Sequence, residues 1–176
     1  MPYQYVREPL TQENADRLSN ACKRPLEKLI VWPMMDCGLR VSELCSLTPE
    51  SIQWQQKCLR VKGKGGLYGK GGRRRDGKGK KKVRVVPMSA RVRAVFEPYF
   101  ALHDRFPVGV RQAQKIVKQV ANRACISQEV TPHVLRHTFA TLFLQKGGSI
   151  AALKKILGHD RLATTEIYLN LTDQHV

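Results

Sequence analysis

TPHVLRHTFATLFLQKGG, residues 131–148, joins a helix with clear ends to a cluster of phosphate-seeking side chains. Thr131 is a good N-cap, Pro132 fits the first helical position, where its missing N–H has no partner to lose, and Gly147 stands just past the end. His133, Arg136 and His137 lie at i, i+3 and i+4, so one face near the helix start carries all three. The positive helix end, an arginine and two histidines together suit a phosphate. A zinc protease of the HExxH kind needs Glu after the first histidine, and Val134 stands there, which argues against it.

Working outward, GLRVSEL places Arg40 at a helix start, and LGHDRLATTEIY places His159 nine positions before Tyr168. Taken singly, these residues have ordinary readings: a surface arginine, a histidine at a helix end, a tyrosine in a core. Upstream, Thr11 caps a helix carrying Ala15, Leu18 and Ala21, and Pro25 opens a second with Leu26, Leu29, Ile30 and Met34. Pro33 is expected to kink or shorten that second helix, and Gly38 to end it. Val41 to Leu47 reads as a short helix with Val41, Leu44 and Leu47 on one face.

From Ile52 the pattern changes to strands: Ile52–Trp54, Cys58–Lys64 and Lys82–Met88, the last with Val83, Val85 and Val86. Helices return with Ser89 as a cap and Val92, Val95 and Phe96 inward, then Gln112–Ala124 with Ile116, Val117 and Val120. Ser149 caps a helix to Leu157, and a last one covers about Ala163–Asn170. The expected fold class is α+β, mainly α: a small antiparallel three-stranded sheet packed on a helical bundle.

Composition narrows the function. The 176 residues suffice for one domain with its own core, and no stretch nears the ~18 apolar residues of a membrane span. With no secretory signal pattern, a cytoplasmic location and no membrane partner are expected. The five cysteines form no close CxxC pair, which favours reduced thiols over a zinc site or a disulfide framework. Lys and Arg number 31 against 14 acids, for a net charge of +17. Such an excess points to a polyanion, and nucleic acid rewards many basic contacts at once.

That charge is concentrated. Residues 60–84 hold 12 of the basic residues, one acid and eight of the 13 glycines, so this stretch alone carries +11. It reads as a basic, glycine-rich hairpin insert at 65–82, with Lys62, Lys70, Arg73, Arg74, Arg75 and Lys80 as candidate DNA contacts.

In this order, GLRVSELCSL, the strand ending in KGKG, HVLRHTFAT, and LGH followed by Tyr168 resemble the successive boxes of the tyrosine recombinase (phage integrase) family, in its Xer-like branch. The resemblance runs from about Leu10 to Thr172 and implies a catalytic domain spanning 1–176. It implies catalytic roles for Arg40, Lys64, His133, Arg136, His159 and the nucleophile Tyr168. Lys64 is preferred because it sits in the Gly63-Lys64-Gly65 turn, with Lys70, Lys78, Lys80 and Lys82 as alternatives. Glu43, three positions from Arg40, either orients it or forms a surface ion pair; His137 is expected to support the fold.

The implied reaction is site-specific cleavage and rejoining of double-stranded DNA through a 3′-phosphotyrosyl link, without ATP. Arginines take the place of a metal ion, so no cofactor is implied. Relatives usually carry an N-terminal core-binding domain, expected to be absent from this chain, and act as tetramers on DNA; the chain alone is expected to be a monomer. Two rival readings are a type IB topoisomerase-like relaxation activity and a basic DNA-binding protein without catalysis. The charge alone would satisfy the latter, but it does not require the six residues together.

Overall fold

The computed structural model describes residues 8–63 and 82–159. Seven helices and three strands follow in order among these residues. Helix α1, Gln12–Ala21, begins where Thr11 Oγ1 accepts from the Asn14 amide, and it buries Ala15 and Leu18. Helix α2, Pro25–Cys37, packs against α1 and is buried on nearly every side, through Leu29, Ile30, Val31, Met34 and Met35. It runs through Pro33 and ends at Gly38, where the sequence placed its end. Burial of this central helix outweighs the single backbone hydrogen bond that proline removes.

Gly38 closes α2 in the left-handed conformation, with φ +64°. Helix α3 follows as Val41–Cys45, two residues shorter than expected. Its last turn tightens: the Ser46 and Leu47 amides bond to carbonyls only three residues back, at Glu43 and Leu44. A 3₁₀ turn, Pro49–Ser51, leads into the sheet.

Strands β1 (Ile52–Gln53), β2 (Cys58–Lys62) and β3 (Val83–Pro87) pair antiparallel in sequence order. Leu59 faces Ile52 on one side and Val86 on the other, and Lys62 faces Val83. The Gly63 amide then bonds to the Lys82 carbonyl at 2.9 Å, so the basic segment leaves and re-enters the domain at one point. Its interior, residues 64–81, lies outside the described residues. Period-two burial is clear in β3, where Val86 is buried while Val83 and Val85 are exposed.

Helix α4, Ala90–Phe100, is capped by Ser89, and α5, Val110–Arg123, starts two residues earlier than expected, behind Gly109. Helices α6, Pro132–Gln145, and α7, Ile150–Leu157, have the expected Thr131 and Ser149 caps. The main core joins Leu18, Ile30, Met34, Leu44, Phe96, Ile116 and Leu135. A smaller cluster, Ala140, Leu153 and Leu157, holds α7 on α6. The helix expected at 163–170 lies outside the described residues. Mainly helical, with a small antiparallel three-stranded sheet, the architecture is the one the sequence implies.

All five cysteines are free thiols. Burial pushes the Cys22 and Cys37 thiols up to about 12, which keeps them protonated and unreactive.

Candidate active site

Arg136 is the centre of the site. It projects from α6, is only 5% exposed, and its guanidinium joins two other helices by their ends. Nη1 donates to the Gly38 carbonyl and Nη2 to the Leu157 carbonyl, both at 2.6 Å. These carbonyls close α2 and α7, where unpaired C=O groups and the helix dipole favour a cation. Gly38 is two residues before Arg40, and Leu157 is two residues before His159. One buried arginine thus sets the positions of two other predicted site residues.

The close approach explains two glycines. A Cβ on Gly38 would come within 2.4 Å of the Phe139 ring, so α6 lies directly against the end of α2. Gly158, with φ +71°, turns the chain out of α7, and a Cβ there would lie 2.8 Å from Arg84 Cδ. Both positions combine a left-handed backbone with a lack of room.

Arg40 is the N-cap of α3, and its side chain remains 41% exposed. Glu43 holds it twice: Oε2 accepts from the Arg40 amide and Oε1 from Nη1, each at 2.9 Å. Glu43 is itself buried, so its contact with Arg40 is not the surface pair the sequence left open. Arg84 of β3 grips the same carboxylate from the other side, with Nη1 to Oε1 at 2.7 Å and Nη2 to Oε2 at 2.8 Å. Burial pushes the Glu43 carboxyl up, but the Arg84 fork and the Arg40 contacts more than offset it, and the net shift is downward.

The histidines sit around this frame. His133 is exposed in the first turn of α6, its ring 6.5 Å from that of His137. Burial, followed by the charges of Arg136, Arg40 and Arg84 and by His137, pushes the His159 imidazole down to about 4. Burial, His133 and Arg136 bring His137 to about 4 as well. Both rings are therefore neutral at ordinary pH and able to donate one N–H each.

Of the residues expected from the sequence, the fold brings Arg40, Arg136 and His159 together, with His133 and His137 on the neighbouring face of α6. Lys62 is exposed at the end of β2. Lys64, Tyr168 and the candidate contacts Lys70, Arg73, Arg74, Arg75 and Lys80 lie outside the described residues. Sequence reasoning missed Arg84, which it absorbed into the basic run. The signal was present in the strand period: Arg84 shares the inward face of β3 with Val86 and pairs across the ladder with buried Val61.

Comparison with known proteins identifies the fold and the family. The phage integrase family matches residues 8–175. Tyrosine recombinase XerA of Thermococcus kodakarensis is 34% identical over 183 residues, an alignment covering 95% of this chain and 59% of that protein. A crystal structure of XerA recombinase superimposes with a TM-score of 0.76 at 29% identity, covering 95% of this chain and 64% of that one. The catalytic domain of bacteriophage HP1 integrase matches with a TM-score of 0.67 at 26% identity, covering 96% of this chain and 90% of that one. With the motif order, the helix-end frame around Arg136 and a family match over nearly its whole length, the chain belongs to the phage integrase family of tyrosine recombinases.

Proposed function

We propose that this chain is the catalytic domain of a site-specific recombinase that cuts and rejoins duplex DNA through Tyr168. The observation that carries this reading is the pair of carbonyl contacts from Arg136, which bind the segments of Arg40 and His159 into one frame. Two guanidiniums and a neutral imidazole suit a phosphodiester, whose non-bridging oxygens gain charge in a pentavalent transition state.

In the reaction, the Tyr168 phenol oxygen attacks phosphorus and the P–O5′ bond breaks, leaving a 3′-phosphotyrosyl link and a 5′ hydroxyl. His133 helps remove the phenol proton, and Lys64 protonates the departing 5′ oxygen. Arg40 and Arg136 bracket the non-bridging oxygens, and His159 donates a hydrogen bond to the same oxyanion. Attack by a 5′ hydroxyl then reverses every bond change, so the phosphodiester energy is retained in the covalent link and no ATP is needed. Attack by the original strand reseals; attack by another exchanges strands.

The +17 charge supplies general affinity for the duplex, with Lys62 and the 64–81 segment as its densest part. In the whole protein, an N-terminal core-binding domain would complete the clamp and a tetramer would join two duplexes, in the cytoplasm.

A nicked suicide substrate tests this reading in EDTA. Wild type should form a covalent protein–DNA adduct on a denaturing gel, and Tyr168→Phe none. DNA binding with no adduct from wild type would favour the non-catalytic binder instead.

A further inference from the structure

Arg84 takes no part in the reaction as drawn, yet it touches both halves of the frame. Its side chain is 11% exposed, and its three nitrogens all have partners. Nη1 and Nη2 hold the Glu43 carboxylate, which in turn holds the Arg40 amide and guanidinium. Nε donates to the Ile156 carbonyl in the last turn of α7 at 2.7 Å. Its aliphatic stem runs past Gly158, next to His159, where no Cβ would fit.

An exposed arginine on a sheet edge would be a candidate phosphate contact, and its ion pair would contribute little. Arg84 differs in each respect. Its guanidinium faces inward, matches a buried carboxylate in a fork, and is directed to a helix end as well. Arg136 ties Arg40's segment to His159's through main-chain carbonyls; Arg84 ties the same two segments through the Glu43 carboxylate and the Ile156 carbonyl. β3 is also the strand that the chain enters directly after the segment bearing Lys64.

We propose that Arg84 is a positioning residue for DNA cleavage: by gripping Glu43 and the end of α7 together, it fixes Arg40 relative to His159 so that both meet one phosphate. The inference rests on the recombinase reading above. Lysine keeps the charge at this position but cannot form the fork and reach α7 at once. Glutamine loses both.

The experiment compares wild type with Arg84→Lys, Arg84→Gln, Glu43→Gln and the double variant Glu43→Gln/Arg84→Gln. Single-turnover adduct formation on the suicide substrate and equilibrium binding to intact duplex are measured for each, beside the His159 titration followed by NMR. Both Arg84 variants should bind duplex within about twofold of wild type while cleaving ~10–100-fold more slowly. The double variant should be no more than about threefold slower than the worse single one, because both changes break one link. In Arg84→Gln the His159 titration should move to higher pH. Arg136 and His137 of α6 and Arg40 at the start of α3 also face that ring, and they are left intact.

Wild-type cleavage rates in the Arg84 variants would overturn the proposal, as would a double variant slowed by the product of the single effects. A rate loss matched by an equal loss of duplex affinity would reduce Arg84 to a DNA contact or a fold element. If wild type itself forms no adduct, the recombinase reading fails, and the NMR titration still decides whether Arg84 governs the surroundings of His159. An unmoved His159 signal would then sink the positioning role separately.

Discussion

Arg136 Nη2 and the Leu157 carbonyl lie 2.6 Å apart, so the arginine of HVLRH closes the helix that delivers His159. The matching contact to Gly38 does the same for the segment of Arg40. Arg136 therefore has a structural duty before any substrate arrives, and its replacement should damage both fold and chemistry. Arg136→Lys cannot span the two carbonyls. We expect it to cost ~2–4 kcal/mol in urea unfolding, since it removes two charged hydrogen bonds at helix ends. Cleavage should fall by a further ~10²–10³-fold in single-turnover assays at temperatures where the variant remains folded.

Gly38 is testable by a rescue. Gly38→Ala places a methyl group within 2.4 Å of the Phe139 ring and keeps an unfavourable φ of +64°. A loss of ~2–4 kcal/mol is expected. Adding Phe139→Leu should recover part of it by removing the clash, while the backbone cost, on the order of 1 kcal/mol, persists. Urea unfolding of the two single variants and the double variant checks this.

Acid should weaken the domain before its carboxylates are titrated. His137 and His159 are both held down to about 4 in the fold, against about 6.5 for a free imidazole. Between those values the unfolded chain binds more protons than the folded one, so stability falls as pH drops from about 6.5 towards 4. His137→Gln and His159→Gln should each flatten the fall in Tm across that window. A bound phosphate analogue should move the His159 titration upward by stabilising its charged form.

The basic segment gives a salt prediction. Deleting residues 66–79 removes Lys70, Arg73, Arg74, Arg75 and Lys78. If these side chains track the phosphate backbone, the slope of log affinity against log salt should shrink by ~0.9 for each phosphate they neutralise. An unchanged slope and affinity would leave the segment without a role in binding.

Much of this frame was legible in the sequence because it rests on local rules. Thr131, Pro132 and Gly147 mark the ends of α6, and the spacing of His133, Arg136 and His137 places them together. The strands emerged from their β-branched residues and the glycine-rich break between them. Boundaries moved where tertiary packing decided: α3 tightens before Leu47, and α5 starts two residues before Gln112. Arg84 was not legible from charge, since nothing in composition sets it apart from its basic companions at 60–82. Its inward turn follows from the strand period it shares with Val86 and from the register against Val61. Glu43 likewise needed the fold, because the arginine that matches its carboxylate arrives from 41 residues away.

Everything in the reaction turns on Tyr168 becoming the covalent partner of DNA. Digestion of the suicide-substrate adduct with trypsin and nuclease, followed by tandem mass spectrometry, reads the modified residue directly. The account predicts a 3′-linked nucleotide on Tyr168, with a free 5′ hydroxyl on the released strand. A nucleotide on any other residue, or a 5′ link, would contradict it.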